Sequence, residues 1–369
     1  MHARRALSCT LVAMLAAGCG TGPDAGVAGG GSAGKPVVGV ILPDDEASSR
    51  WVEQDSPKLA QALRFAGVEP LIEQADNDEA RFAAIADDMI ARRVDVLMTA
   101  PLSQAGGVAV EAKAKAAGIP VVNYDRISLG GHADYYVSFD NLDVGELQAE
   151  GLLECLGDRP HARIVELQGS PTDHNATLFA DGQRRTLGPL YDKGALTLVQ
   201  SHAVDGWDVE EARAVFARIF DADGGRVDGV VAANDGLAGA VIDVLKTAGV
   251  PAGQVPVTGQ DATLDGLRAI LRGEQCMTVY KPIRDEAEAA ARLAAAIAKG
   301  DASGADDLAT GNTRDVVSGR DVKSVLLSAD LVTREDVRQV AVSENAIKAA
   351  DLCAGDVAAA CAEVGILVG

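Results

Sequence analysis

Residues 227–248 read VDGVVAANDGLAGAVIDVLKTA. A short run of β-branched and small apolar residues, Val227 to Ala232, stops before Asn234-Asp235-Gly236, and an Ala- and Val-rich amphipathic segment, Leu237 to Ala248, follows at once. That order predicts a strand, a turn at its carboxyl end and a helix. The same unit recurs along the chain. Strands are expected at Val37 to Leu42, Glu69 to Glu73, Val94 to Thr99, Pro120 to Tyr124, Tyr135 to Phe139, Arg163 to Leu167, Leu196 to Ser201, Val255 to Thr258 and Cys276 to Tyr280. Helices are expected at Asp55 to Ala66, Asp78 to Arg92, Gln104 to Ala117, Leu142 to Leu156, Val209 to Phe220, Thr263 to Leu271 and Glu286 to Lys299. Strands that alternate with helices pair in parallel, so the fold class is α/β, and so many strands suit two sheets better than one. No repeat of solenoid period is present.

The N-terminus carries a different signal. His2, Arg4 and Arg5 precede the apolar run Ala6 to Ala17, a charged region followed by a hydrophobic one of the kind that directs export. The run is well short of the ~20 residues that a spanning helix needs. Leu15-Ala16-Ala17-Gly18-Cys19 resembles a bacterial lipoprotein cleavage box, with Ala16 where Leu is usual. The expectation is a signal peptide at 1–18 and a lipid-anchored flexible tether at 19–34, lipidated on Cys19; secretion with Cys19 unmodified is the alternative. Residues 20–34, GTGPDAGVAGGGSAG, hold few side chains able to form a core. Their Gly29-Gly30-Gly31 run precedes a strand instead of following one, which disqualifies it as a dinucleotide fingerprint.

A formal net charge of −21 argues against nucleic acid, because phosphate binding needs a basic face. Of six cysteines, Cys9 lies in the signal and Cys19 at the anchor, leaving Cys155, Cys276, Cys353 and Cys361 in the folded part. Export permits disulfides. Cys353 and Cys361 flank a helix-like Ala-rich stretch and are expected to form a local bridge; the pairing of Cys155 and Cys276 stays open. No Cys or His spacing resembles a metal site, and the five histidines are scattered.

Open α/β sheets bind ligands outside the carboxyl ends of their strands, and here those ends are rich in polar and aromatic residues. After the first strand come Pro43-Asp44-Asp45 and Arg50-Trp51; after the fourth, Asp125-Arg126; after the sixth, Gly169-Ser170-Pro171 with Asp173 and Asn175. Later ends supply Trp207, Asn234, Asp261 and Lys281, and both tryptophans of the chain fall in such loops. A monosaccharide accounts for this inventory: its hydroxyls need bidentate partners such as Asp, Asn and Arg, and its C–H faces need flat apolar covers, supplied by Trp51 and Trp207. Each residue has a duller reading. Asn234 alone is a helix cap, Asp125-Arg126 a surface ion pair, Trp207 a staple on the next helix, and Lys281 a solvated helix start. Their common topological position favours the site.

These words resemble the D-xylose-binding proteins of bacterial ABC sugar transporters, within the type I periplasmic binding protein superfamily. The similarity rests on Arg50-Trp51 with Asp55, Tyr124-Asp125-Arg126, Ser138-Phe139-Asp140-Asn141, Val144 to Ala149, Gly169-Ser170-Pro171 leading to Asp173 and Asn175, Val204 to Trp207, Asn234-Asp235, Gly259-Gln260-Asp261 and Met277 to Ile283. It implies a sugar site formed by Arg50, Trp51, Asp125, Arg126, Asp173, Asn175, Trp207, Asn234, Asp261 and Lys281. It also implies two Rossmann-like parallel-sheet lobes joined by a three-crossover hinge near Phe139-Asp140, Gln260-Asp261 and Gly300. The N-terminal lobe would then comprise 35–139 and 261–299, the C-terminal lobe 140–260 and 300–332, and 333–369 a tail outside the pattern. Ser48-Ser49 and His174 depart from the family pattern beside proposed ligands.

The resemblance further implies a monomer without cofactor that delivers sugar to the permease subunits of an ABC transporter, at the extracytoplasmic face or in the periplasm. Rival classes fare worse. An enzyme would need a cofactor loop, a metal cluster or a poised acid and base, and the sequence offers no Gly-rich loop between the first strand and helix and no metal-ligand spacing. A repressor would need an N-terminal helix-turn-helix where the export signal stands. A receptor that presents its sugar to a sensor kinase or chemoreceptor, or one for glucose, ribose, arabinose or galactose, remains the alternative.

Overall fold

The computed structural model describes residues 34–43, 48–343 and 347–367. The expected signal peptide, the Cys19 lipid site, the tether up to Ser32-Ala33 and the pair Asp44-Asp45 lie outside the described residues. The chain opens with β1 (Val37–Leu42), α1 (Ser56–Phe65), β2 (Glu69–Gln74), α2 (Glu79–Ala91), β3 (Val96–Thr99), α3 (Gln104–Ala116), β4 (Val121–Tyr124) and β5 (Tyr135–Phe139). Their strands pair in parallel in the order β5-β4-β3-β1-β2. The central strands are almost continuously apolar because helices cover both faces. Val38, Val40, Leu42, Val96 and Met98 fill one core, and Ile41, Leu97 and Val121 the other.

A second set follows: α4 (Asn141–Leu156), β6 (Ala162–Gln168), α5 (His174–Asp192), β7 (Leu196–Ala203), α6 (Val209–Ala222), β8 (Gly229–Ala232) and α7 (Asp235–Thr247). Its parallel sheet has the order β7-β6-β8. Val255 to Thr258, expected as a strand, contributes a single bridge from Val257 to Val230. Helix α5 was not legible, because Gly182, Gly188 and Pro189 interrupt its apolar period. Gly182 is there for packing: a Cβ on it would collide with the Leu142 carbonyl, and a Cβ on Gly145 of α4 with the Phe179 carbonyl. Helices α4 and α5 therefore cross backbone against backbone, and this contact seats the N-terminus of α5, where Asp173 and Asn175 stand.

Two segments sit in the lobe opposite to the one expected. Helix α8 (Leu264–Leu271) packs on α7, and Met277 and Val279, flanking the start of β9 (Thr278–Tyr280), enter the second core; residues 261–280 belong there and not with the N-terminal lobe. The chain then crosses back. The alanines of α9 (Ile283–Ala298) and Ala305 of α10 (Ala302–Leu308) fill the first core. Strand β11 (Asp321–Leu327) adds in parallel to β5, with β10 (Gly311–Arg314) antiparallel outside it. Residues 300–327 thus complete the first sheet, as β10-β11-β5-β4-β3-β1-β2. Finally β12 (Asp330–Val332) pairs antiparallel with β9. The crossings fall near Phe139-Asp140, Lys281-Pro282 and Ser328-Ala329, and not at Gln260-Asp261 or Gly300. What decides the placement of β11 is the open edge of β5, a partner that local composition cannot name.

The remainder forms α11 (Val337–Ser343), α12 (Ala349–Leu352) and α13 (Ala358–Glu363), packed on α8. Disulfides join Cys353 to Cys361 and Cys155 to Cys276, the latter tying the end of α4 to the approach to β9. Among the described residues no helix is long and apolar enough to cross a membrane. The α4–α5 crossing makes a direct prediction: Gly145→Ala lowers the unfolding free energy by about 2–3 kcal/mol through overpacking, read from urea denaturation, whereas an unchanged midpoint would show that the helices can separate at little cost.

Candidate functional site

All ten expected ligand residues line one cleft of about 310 Å³, joined by Ser48, Phe179 and Gln260. Arg50, Trp51, Asp125 and Arg126 come from loops of the first lobe, and Asp173, Asn175, Trp207, Asn234 and Asp261 from the second. Lys281 stands at a crossing.

Arg50 organises one wall. It enters a π-helical turn, Trp51–Asp55, that leads into α1, and its guanidinium is buried. Nε and Nη2 donate to the two oxygens of Asp55 at 2.8 Å each, Nη2 also to Glu286 at 3.0 Å, and Nη1 to Asp125 at 2.9 Å. Tyr124 donates its hydroxyl to Asp55 at 2.6 Å. Burial disfavours the guanidinium charge, but Asp55 and Asp125 outweigh it and hold Arg50 ionised. Burial also opposes ionisation of Asp125, yet Arg50, Lys281 and Arg126 together keep its carboxyl below the usual range. Glu286 goes the other way: burial and the neighbouring Asp125 push it well above its usual range against the pull of Arg50.

Further pairs line the rest of the cleft. Lys281 Nζ lies 3.2 Å from Asp261 and 3.7 Å from Asp125. Arg126 Nε lies 3.1 Å from Asp173, which also accepts from Trp207 Nε1 at 3.3 Å. Asn175 donates to the Asp125 carbonyl and carboxylate at 2.9 and 3.2 Å, spanning the two lobes. Two residues serve twice: Asp173 caps α5 by accepting from Asn175 N, and Asn234 caps α7 by accepting from Leu237 N. The cap reading and the cleft reading of these residues are both met.

Each cleft cation is already matched to a carboxylate, so an added anion would meet paired charges, whereas a neutral polyhydroxylated ligand can share these donors and acceptors. Trp51 Nε1 and Gln260 Oε1 are buried with no partner in the protein, an uncommon state for polar atoms that hydroxyl groups would relieve. The guanidinium carbons of Arg50 and Arg126 lie 4.5 and 5.4 Å from the Trp51 ring centre, within cation–π range. Trp207 lies against Gly169, where a Cβ would collide with the indole. Asp125, Trp207 and Asp261 take left-handed φ values of 59°, 62° and 94°, a strain of roughly 1–3 kcal/mol each that persists where surroundings impose it. Among the described residues no cluster is suited to hold a metal ion.

Sequence reasoning missed Glu286, Gln260, Ser48 and Phe179 as parts of this cleft or its support. Glu286 was readable in principle, since it shares the buried face of α9 with Ala287, Ala290 and Ala294. A lone carboxylate on such a face asks for a buried cation.

Two parallel-sheet lobes with a polar and aromatic cleft between them define a ligand-capturing protein, and the comparisons agree. Residues 38–302 match the model of the periplasmic binding protein domain, and the chain belongs to the periplasmic binding protein family, whose members bind and do not catalyse. It is 36% identical over 278 residues to the D-xylose-binding periplasmic protein of Escherichia coli (strain K12), covering 75% of this chain and 82% of that protein. It is 33% identical to the multiple sugar-binding periplasmic receptor ChvE of Rhizobium radiobacter over 73% of this chain and 80% of that one. Among solved structures, an ABC transporter solute binding protein from Clostridium phytofermentans with bound β-D-glucose superposes with a TM-score of 0.79 at 27% identity, covering 86% of this chain and 99% of that one.

Two of the three acidic hydrogen-bond partners of Arg50, Asp125 and Glu286, should behave differently on neutralisation. Asp125→Asn removes an ionised partner from two buried cations and costs about 3 kcal/mol of stability. Folded Glu286 holds its proton more tightly than the unfolded chain, so its stabilising contribution is full below the ordinary range near ~4.3 and is lost as pH rises. Gln is the isostere of the protonated acid, so Glu286→Gln melts close to wild type near pH ~4 and gains on it as pH rises toward ~8. Melting temperatures across that window check both statements; a Glu286→Gln deficit that grows with pH would reverse the sign.

Proposed function

We propose that the protein is the substrate-binding lipoprotein of an ABC sugar importer, that it closes its lobes on a monosaccharide, and that the sugar is D-xylose. The observation that carries the reading is the cleft itself, in which the cations and carboxylates are mutually paired by charge while three buried polar atoms, Trp51 Nε1, Arg126 Nε and Gln260 Oε1, have no hydrogen-bond partner in the protein. Xylose is favoured by the similarity to D-xylose-binding periplasmic proteins of Escherichia coli (strain K12) and of Haemophilus influenzae (strain ATCC 51907 / DSM 11121 / KW20 / Rd), each at 36% identity. In this role Trp51 and Trp207 cover the C–H faces of the ring. Asp125, Asp173, Asn175, Asn234, Asp261, Arg50, Arg126 and Lys281 bond its hydroxyls, and an inverted hydroxyl leaves a buried partner unpaired. Ligand that bridges both lobes favours the closed form, which the permease then recognises.

Calorimetric titration of a chain begun at Lys35 against xylose, ribose, arabinose, glucose and galactose tests the reading. Micromolar or tighter binding of xylose alone, about 8 kcal/mol or more, is expected, with Trp207→Ala and Asp261→Ala abolishing most of it while circular dichroism stays unchanged. Tight binding of another aldose would keep the receptor and replace the sugar; no binding of any would remove the proposal.

The anchor is tested separately. Cys19→Ser is expected to move the protein from the membrane fraction to the soluble extracytoplasmic fraction, and a variant that stays with the membrane would rule out lipidation at Cys19.

A further inference from the structure

The C-terminal segment beyond β12 lies past the region matched by the family model, which ends at residue 302, and it does not fold back on the lobes at random. Val337, Leu352, Val357 and Cys361 build a separate core, and the elements they pack on are α8 and two further residues, Ala262 and Tyr280. Ala262 directly follows Asp261, and Tyr280 directly precedes Lys281. The two cleft residues that pair at 3.2 Å are thus each backed by a neighbour sealed under the same C-terminal core. The link is tight in between as well: Asp261 N donates to the Val279 carbonyl at 2.9 Å and Ala262 N to the Thr278 hydroxyl at 3.2 Å, so the Asp261 turn is fastened along β9.

Two more contacts fix the segment in place. Arg268 of α8 donates to the carbonyls of Asp351 and Leu352, which end α12, and the Cys353–Cys361 disulfide closes the chain just beyond. Asp261 and Ala262 both hold left-handed backbone, at φ 94° and 46°, a conformation non-glycine residues keep only when surroundings impose it. Ala262 is 2% exposed and belongs to the same buried cluster as the C-terminal residues.

Resting on the reading of the cleft as a sugar site, we propose that the disulfide-stapled C-terminal extension is a positioning element of that site: by clamping Ala262 and Tyr280 it holds Asp261 and Lys281 in their binding geometry. Opening the extension then weakens sugar binding without unfolding either lobe.

The test compares the full chain with its Cys353→Ser/Cys361→Ser variant, by amide hydrogen exchange and by D-xylose titration with dissociation kinetics. The expected result is faster exchange at Ala262 and Tyr280 and a Kd raised about tenfold, chiefly through faster dissociation, with the exchange of β1, β3 and β6 unchanged. Faster exchange inside the extension with Ala262, Tyr280 and Kd at their wild-type values overturns the proposal, because the extension would then be a passive cover. If the variant's extension stays closed, Leu352→Ala, which empties part of the same core, applies the same comparison, and wild-type exchange and affinity in both variants overturns it too. A wild-type chain that binds no sugar would sink the reading of the cleft, while the exchange at Ala262 and Tyr280, measured without ligand, still decides what the extension holds.

Discussion

The cleft depends on one buried charge. Arg50 is dry, and an unpaired guanidinium in that place would cost far more than a domain's whole stability margin. Asp55 receives it along two parallel bonds, Glu286 takes a third and Asp125 a fourth. These partners come from three places: the π-helical turn, the loop after β4 and the first turn of α9. The loop geometry of the first lobe is therefore set from beneath by electrostatics, with Tyr124 completing the coordination of Asp55. Such pairing seldom adds net stability over an apolar core, but here it fixes the direction in which Asp125 and Trp51 face the cleft.

The second lobe solves the same problem with helix termini. Asp173 and Asn234 each cap a helix, and the cap determines where the carboxylate or amide points. A cap residue has a defined backbone and a side chain folded toward the helix, so a residue that both caps and binds carries little conformational freedom into the bound state. The two lobes arrive at one preorganised cleft by different means, a buried ionic network on one side and helix caps on the other.

Most of the alternation was legible because parallel strands under two helical layers are written as apolar runs, as in Val37–Leu42 and Val96–Thr99. The ten cleft residues were legible because strand ends are where such folds keep polar groups. The failures have physical causes. Helix α5 carries Gly182 for a backbone crossing, and a glycine placed for close approach reads locally as a break. Strand β10 is short and polar and β11 opens on the charged Asp321 and Lys323, and their lobe is chosen by the exposed edge of β5 and not by their own composition. The crossing at Lys281-Pro282 lies twenty-one residues beyond the expected one because α8 and β9 stay with the second core through Ala269, Met277 and Val279. Glu286 hid in an alanine-rich helix, where only a three-dimensional partner explains a buried acid.

The two disulfides share a property that follows from where the crossings fall. Cys155 and Cys276 both belong to the second lobe, and Cys353 and Cys361 both to the extension packed on it; among the described residues neither bond runs from one sheet system to the other. A crosslink acts mainly by narrowing the unfolded ensemble, and one confined to a single body does so without restricting rotation of that body against its neighbour. An oxidising compartment can thus harden this protein against unfolding without bolting one sheet system to the other.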